Sequence, residues 1–395
     1  MKYEFLKRNK NLLILSTLYI ITLLNILFFL IYSIKNGGNS WSQGDWLINN
    51  EIQIVRRGWF GSFILFLSEN LSLNPLYLLG LIQSIIIFFI FYSVWKASIK
   101  LDINNNDALF FLLISPLFFI FWGASVGGSL RKEIITYLAF TPYLFYFMSN
   151  RESYKFYLFT SILIYFIAVF SHEANVFFLP FFIAILVLIF KKSRTKLIIF
   201  SSIYCVIGLS AFIYSIIYNK VDDYMDVCNP ILKFGIDSAI CNGAISWLAT
   251  DLYYNLNLTN KLLLSSSFFY FILSYFLSIF IFIILMKKYF NIKIILMISF
   301  LSSIVFFPLY IVAVDWGRWI NFYVVSLTFL IMFWMLKNDN LIKYKLSELK
   351  YNCLLIFFLC WSVNVVGGEL TIRNGFIMGI IFRIGKFLGI VPMDF

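Results

Sequence analysis

The sequence predicts an all-α polytopic membrane protein, and three observations support that prediction. Of its 395 residues, 62% are hydrophobic and 13% are charged, whereas soluble globular proteins carry about 25% charged residues. The mean hydropathy of +0.89 leaves too few polar side chains to cover a water-soluble globule. Apolar runs of roughly 18–24 residues recur along the chain, and each can cross a hydrocarbon core of about 30 Å. A soluble enzyme, a nucleic-acid-binding protein and a secreted disulfide scaffold are therefore excluded as descriptions of the whole chain.

The apolar runs predict eleven membrane helices and a possible twelfth within a single integral membrane domain covering residues 1–395. The first run follows a basic N-terminus, as in a signal peptide. It is too long for one and no small-residue cleavage site follows, so we interpret it as a retained helix. A shorter run at about 59–70 suits a re-entrant or interfacial helix. The predicted spans cover about 11–34, 75–95, 108–123, 134–149, 156–170, 174–190, 197–218, 263–285, 294–313, 321–337, 351–367 and, as the twelfth, 375–391.

The basic residues predict the orientation of these helices. With the N-terminus in the cytoplasm, most of the 31 basic residues fall in six short inner segments, as the positive-inside rule requires. The net charge of +12 therefore reports topology, and no nucleic-acid partner is expected beside the lipid bilayer. Two outer segments are long, at about 35–74 and 219–262.

The cysteines and the single histidine limit the metal chemistry available to the chain. Cys228 and Cys241 lie in the second long outer segment. On the oxidising side of a membrane they predict a disulfide, with two free thiols as the alternative. One histidine and five scattered cysteines offer no ligand set for zinc, haem or an iron–sulfur cluster, so we expect no metal and no cofactor.

The remaining charges gather near the outer helix ends, where charged groups are costly and usually mark a site. Arg56 and Arg57 precede Gly58 on the side where positive charge has no topological use. Paired guanidinium groups suit a phosphate. The alternative is an interfacial helix anchored on lipid headgroups by arginine and tryptophan. Asp45 lies in the same outer segment as an acidic candidate.

A second charged group, at the predicted outer start of the fourth helix, favours an anion. Gly127 and Gly128 would expose backbone N–H groups beside the positive end of the helix dipole. Arg131 and Lys132 add formal positive charge at the same place. The structural alternative is that Glu133 caps the helix and pairs with a neighbouring base. Apart from that structural role, Glu133 is also an acidic candidate for the site.

His172 and Glu173 occupy a tight outer turn between two predicted spans. His172 is the only histidine in the chain, and a lone histidine is more often a packed residue than a catalyst. Its position beside Glu173, on the face that carries the other charges, favours a catalytic role. Either side chain could act as a general base if it is partly desolvated, and the sequence leaves the choice open.

Asp315 and Arg318 are predicted at the outer tip between the ninth and tenth helices. Arg318 could contact a phosphate or sugar hydroxyls while Asp315 orients it; the alternative is a salt bridge that closes a short loop. Glu369 and Arg373 form a fifth group near the outer end of the eleventh helix. Outer aromatic residues fit either an interfacial belt or sugar-binding faces.

These groups favour transfer chemistry on a lipid-linked substrate. No G-x-x-x-x-G-K-[ST] or dinucleotide motif is present, so the use of cytosolic ATP is not indicated. An outer-face enzyme lacks nucleotide-sugar donors, and a polyprenyl pyrophosphate-linked glycan arrives already activated. Arginines would stabilise the charge that grows on the departing pyrophosphate, and a carboxylate or histidine would accept the proton of the attacking hydroxyl.

The chain resembles the Wzy-type polymerases of bacterial O-antigen and capsule synthesis in its number of spans, its large late outer loop, its outer arginines and its Ile/Phe/Asn/Lys-rich composition. The resemblance implies an outer-face transferase of GT-C-like architecture in a Gram-negative inner membrane. It would transfer the growing glycan from undecaprenyl pyrophosphate to the incoming lipid-linked repeat unit on the periplasmic face, with a chain-length regulator as a further partner. The large loop departs from the family pattern because it lacks arginine. The implied pyrophosphate ligands are Arg56, Arg57, Arg131 and Arg318, and the implied base is His172 or Glu173.

Two other functions remain open at this stage. A glycosyltransferase that uses a polyprenyl-monophosphate sugar would also face outward, and its acidic catalytic residue is expected in the first outer loop, where Asp45 lies. A lipid-linked oligosaccharide flippase or other transporter would carry charges in the middle of its spans and a repeat between its halves. The charges here lie at helix ends and no repeat is visible, so the polymerase is the favoured function.

Overall fold

Helices account for most of the computed structural model, which describes residues 9–124, 126–149, 153–338, 343–372 and 375–387. The first half contains α1 (Lys10–Lys35), α2 (Gln43–Trp46), α3 (Gly58–Leu71), α4 (Pro75–Lys100), α5 (Asp107–Leu113), α6 (Phe119–Ala124), α7 (Val126–Ser129), α8 (Ile134–Met148) and α9 (Tyr154–Ser171). The second half contains α10 (Leu179–Phe190), α11 (Arg194–Ile217), α12 (Met225–Leu232), α13 (Leu252–Leu263), α14 (Ser266–Met286), α15 (Ile292–Val312), α16 (Trp316–Asn338), α17 (Glu348–Cys360) and α18 (Phe376–Phe387). Strands β1 (Ser362–Val363) and β2 (Leu370–Thr371) form an antiparallel hairpin between α17 and α18.

Eight helical segments in the described part of the chain are long and apolar enough to cross a membrane. Their length and composition support a multi-pass membrane protein, as the sequence predicts. They are α1, α4, α9, the segment Glu173–Phe190 that ends in α10, α11, α14, α15 and α16.

The other predicted spans differ from continuous membrane-crossing helices. The predicted helix at 108–123 is divided into α5 and α6, because Pro116 lies between them and has no backbone N–H to donate. Helix α8 has 15 residues and contains Pro142, which makes it shorter than the roughly 20 residues that a perpendicular span needs. Helix α17 ends at Cys360 instead of reaching 367, since the hairpin follows it. Residues 388–391 of the predicted twelfth span lie outside the described residues.

Helix α16 is the centre of the bundle. In its most apolar window 89% of the residues are buried, compared with 17% in α11. Phe329 of α16 packs against Phe140 of α8, with ring centres 5.3 Å apart, and Phe322 packs against Phe178 at 5.0 Å. The first turn of α16 is also buried, and Arg318 in that turn is 5% exposed.

The segment 219–262, for which the sequence predicts an outer position, is folded and not an open loop. It contains α12, most of α13 and two 3₁₀ turns, Ser238–Cys241 and Ser246–Ala249. Cys228 and Cys241 form the disulfide that the sequence predicts. Its backbone also contacts the first outer segment, since the N–H of Ala244 donates to the carbonyl of Ser40 at 3.0 Å.

Replacing Cys228 by serine is expected to destabilise this segment, because the disulfide restricts the unfolded chain. The two cysteines are 13 residues apart, and closing a loop of that size contributes about 2–4 kcal/mol. Thermal unfolding of the purified protein, with and without reductant, measures the effect. An unchanged melting temperature in the variant would contradict this expectation.

Candidate functional site

Ten side chains from five parts of the sequence meet at one end of the helix bundle. We call them the charged cluster. All ten are residues that the sequence analysis singled out, and most of them are buried. The cluster consists of Asp45, Arg56, Arg57, Arg131, Lys132, Glu133, His172, Glu173, Asp315 and Arg318.

Asp45 lies on α2, a four-residue helix that buried amide groups hold in place. The Gln43 side chain donates to Gln83 Oε1 on α4 at 3.2 Å. The Trp46 indole N–H and the Gln83 amide both donate to the carbonyl of Leu130, at 2.7 and 3.0 Å. These bonds connect α2 to α4 and to the turn that carries Arg131, so the Asp45 backbone is fixed relative to the other charged groups.

The Arg56–Arg57 pair is positioned by an unusual backbone turn. Arg57 has a left-handed conformation with φ of +67° immediately before α3. The next residue must be small, because a Cβ atom at Gly58 would lie 1.9 Å from Asn50 Oδ1. Lys132 Nζ donates to the Arg57 carbonyl at 3.0 Å. The Arg-Arg-Gly motif is therefore the local signal for this turn.

Two arginines make ion pairs with three of the four carboxylates in the cluster. Arg57 makes a bidentate ion pair with Glu173, in which Nε donates to Oε2 at 2.7 Å and Nη2 donates to Oε1. Arg318 donates to both Glu133 and Asp315. Glu133 accepts no capping bond from α8, so its partner is Arg318. The salt bridge between Asp315 and Arg318 is present, but Arg318 lies in the first turn of α16 and not at a loop tip.

Arg131 and Lys132 remain available as cations. Arg131 donates to the carbonyls of Gly127 and Trp41, at 3.2 and 2.8 Å, so Gly127 contributes its carbonyl to the turn. Within the described ranges, neither Arg131 nor Lys132 has a carboxylate oxygen within 4.0 Å. Arg56 lies 3.6 Å from Glu173 and its buried Nε has no hydrogen-bond partner there.

Asp45 is the carboxylate of the cluster that accepts no hydrogen bond from an arginine among the described residues. It is 1% exposed, and neither of its oxygens has a hydrogen-bond partner among the described residues. Its nearest cationic atom is Arg57 Nη1 at 3.7 Å. Burial acts to raise the pKa of Asp45, but Lys132, His172 and Arg57 outweigh burial and hold this pKa below its usual value. Asp45 is therefore an ionised, unoccupied acceptor at neutral pH.

His172 is poorly arranged to act as a base. Burial lowers its pKa to about 4, so the ring is neutral at pH 7. Its Nδ1 accepts the backbone N–H of Ala174 at 3.1 Å, which places the proton on Nε2. That nitrogen faces Glu133 Oε1 at 3.8 Å. Since Arg57 occupies Glu173, the geometry favours Asp45 over both residues that the sequence suggested as the base.

Replacing His172 by asparagine is expected to lower activity by less than about tenfold, because asparagine can also accept the N–H at a helix start. The wild-type rate should show no inflection between about pH 5 and 7, since His172 stays neutral there. A pH–rate profile of both proteins tests this. A loss of about a hundredfold or more would make His172 catalytic.

Lys132 is expected to make both activity and stability depend on pH. Burial lowers the pKa of Lys132 to about 8 from a usual 10.5. Activity should fall as pH rises through about 8, because the cation beside Asp45 is lost. Between pH 8 and about 10.5 the unfolded chain binds the extra proton, so stability should rise with pH in the same window.

The variant Lys132→Met should be weakly active and should lack both pH effects. Measuring the rate and the melting temperature from pH 7 to about 10 tests whether activity falls while stability rises in the wild-type protein. If the activity of the variant still falls as pH rises through about 8, a group other than Lys132 is responsible for the titration.

The comparisons with known proteins return no match: no family model, no curated protein and no solved structure is similar to this chain. Among the described residues, no group of three or more His, Cys, Asp or Glu side chains is arranged to hold a metal ion. The fold and the site define a multi-pass helical membrane protein with a buried cluster of mixed charge at one end.

Other residues near the cluster include one predicted site candidate, Glu369, and two residues that were not candidates, Gln43 and Gln83. Glu369 occupies the turn of the β1–β2 hairpin and accepts a hydrogen bond from Ser267. Its predicted partner Arg373 lies outside the described residues. The sequence analysis missed Gln43 and Gln83, which hold α2. The signal for Gln83 was an amide inside an apolar run, whereas Gln43 lies in a polar segment and had no such signal.

Proposed function

We propose that the protein is a glycosyltransferase that polymerises lipid-linked oligosaccharide repeat units, moving the growing glycan from undecaprenyl pyrophosphate to the incoming repeat unit. The observation that carries the proposal is the buried Asp45 carboxylate, whose oxygens accept no hydrogen bond among the described residues. It interacts electrostatically with Lys132 and Arg131, two cations that make no ion pair with a carboxylate within 4.0 Å in the described ranges. Transfer from an anionic leaving group to a hydroxyl needs one base and several cations.

Each free group has a role in this reaction. Arg131, Lys132 and Arg56 bind the pyrophosphate and stabilise the charge that develops as its bond to the anomeric carbon breaks. The acceptor hydroxyl oxygen forms the new bond to that carbon, and Asp45 takes the hydroxyl proton. The paired carboxylates Glu133 and Glu173 do not repel the substrate, since arginines neutralise them.

An apolar groove between α14 and α15 supports a lipid-linked substrate. Its volume is about 880 Å³, and its lining includes Phe271, Phe300 and Tyr310. The Tyr310 carbonyl accepts the indole N–H of Trp316 at 3.0 Å, next to Asp315 in the cluster. A polyprenyl chain in this groove would place its pyrophosphate at the cluster.

The proposal includes a location and an architecture. We propose a bacterial inner membrane with a cytoplasmic N-terminus, the cluster facing the periplasm, a GT-C-like architecture and a chain-length regulator as a partner. The distribution of basic residues and the Cys228–Cys241 disulfide support this orientation, because disulfides persist on the oxidising side of a membrane.

A second candidate is a glycosyltransferase that uses a polyprenyl-monophosphate sugar. The specific observation in its favour is the position of Asp45, a free carboxylate in the first outer segment. The two candidates differ in donor: one takes a pyrophosphate-linked oligosaccharide and the other a monophosphate-linked single sugar.

The banding pattern of surface polysaccharide in a deletion strain tests the proposal. A polymerase deletion should leave lipid A–core with one repeat unit, and wild type should restore the ladder. Arg131→Ala should not restore it at normal protein levels, whereas the exposed matched control Lys233→Ala should. If the deletion strain also loses the single-repeat band, the polymerase assignment is wrong. Accumulation of a repeat unit that lacks one sugar would instead support the monophosphate donor.

A further inference from the structure

Three aromatic side chains form an edge-to-face row beside the charged cluster, with interplanar angles of 62° and 68°. We call Trp41, Trp247 and Tyr254 the aromatic run. The ring centres of Trp41 and Trp247 are 5.5 Å apart, and those of Trp247 and Tyr254 are 5.8 Å apart. Trp41 is 39% exposed and Tyr254 is 48% exposed. The row is therefore partly accessible outside the predicted spans, and each ring offers its own face.

Arg131 connects the aromatic run to the proposed transfer site. Its guanidinium carbon lies 5.3 Å from the centre of the Trp41 ring, and Nη1 donates to the Trp41 carbonyl at 2.8 Å. The same guanidinium interacts electrostatically with Asp45 and Arg318. A ligand that lies on the rings would thus have one end at the cations.

The loops that carry the rings are locked together. The N–H of Ala244 donates to the Ser40 carbonyl at 3.0 Å. A Cβ atom at Gly243 would lie 2.6 Å from that same oxygen, so the two backbones are in direct contact. Tryptophans of an interfacial belt need no fixed position relative to one another. Here the rings form a preorganised surface, which is the arrangement that lowers the cost of binding.

We propose that the aromatic run is a glycan-binding subsite on which sugar rings of the oligosaccharide stack next to the transfer site. Sugar rings have apolar C–H faces that pack on large aromatic rings, and their hydroxyls remain in water at a partly exposed site. The identity of the glycan rests on the proposed function. The stacking itself rests on the geometry of the rings, and it can be measured as binding without any turnover.

The probe is the water-soluble glycan released by mild acid from the surface polysaccharide of the source bacterium. Calorimetry with purified full-length protein in detergent should give a Kd that rises about tenfold in Trp247→Ala, as expected for an aromatic anchor. Trp247→Phe should retain most of the affinity. Tyr253→Ala is the matched control, since Tyr253 is the neighbouring and more exposed ring on α13, and its Kd should equal that of wild type.

Two results would overturn the subsite. One is the absence of binding to the wild-type protein; the other is an equal Kd for Trp247→Ala and Tyr253→Ala. If both variants bind the glycan normally and lose thermal stability only in phospholipid nanodiscs, the rings are an interfacial belt. If Trp247→Ala is misfolded, Tyr254→Ala replaces it. A failure of the proposed function would be detected separately, as an unchanged polysaccharide banding pattern in the deletion strain.

Discussion

Replacing Asp45 by asparagine is expected to lower the transfer rate by about 10³-fold, because general-base catalysis contributes about 10²–10⁴. The amide has the shape of the carboxylate but cannot take a proton. The variant should fold, since neither carboxylate oxygen has a hydrogen bond to lose among the described residues. The initial rate at which purified protein releases undecaprenyl pyrophosphate from the extracted lipid-linked repeat unit measures the effect.

The matched control for this variant is Asp237→Asn. Asp237 is exposed on the segment 219–262 and accepts a hydrogen bond from the backbone N–H of Ala239. Asparagine can make the same bond, so the rate should not change. A rate for Asp45→Asn within about tenfold of wild type, together with a large loss in Glu173→Gln, would assign the base to Glu173.

Replacing Arg318 by glutamine is expected to lower the free energy of unfolding by about 3–5 kcal/mol, the usual cost of leaving a buried charge without its partner. Arg318 is 5% exposed and Glu133 is 3% exposed. Glutamine cannot neutralise Glu133 and Asp315 together, so a buried negative charge would remain. Chemical denaturation of the purified protein in detergent measures the loss.

A double variant distinguishes a charge effect from a packing effect. Glu133→Gln in the Arg318→Gln background removes the unpaired carboxylate and should recover a large part of the lost stability. If the two substitutions destabilise additively, the ion pair between Glu133 and Arg318 does not account for the loss. The pair Lys345 and Asp107, in which the lysine side chain is exposed and the aspartate is buried, should show a smaller coupling, because water screens the lysine.

The predicted helices follow from composition, and the differences have local causes. Apolar length alone located the eight segments that can span a membrane. The length of the apolar run could not locate the break between α5 and α6, because the residues before and after Pro116 are both apolar and buried. Helix α16 begins earlier than predicted, at Trp316. Asp315 and Arg318 read as loop residues in the sequence because charges interrupt the apolar run there.

The sequence by itself determined the class of protein, the predicted disulfide and the candidate charged residues, ten of which meet in the charged cluster. Hydropathy, charge and residue type are local properties that can be read along the chain. Only the tertiary structure decided which carboxylate lacks a hydrogen-bond partner among the described residues. Glu173 is occupied by Arg57, 116 residues away, and Glu133 by Arg318, 185 residues away. Such pairings depend on distances between packed helices, so the proposal of Asp45 as the base, in place of His172 or Glu173, rests on the fold.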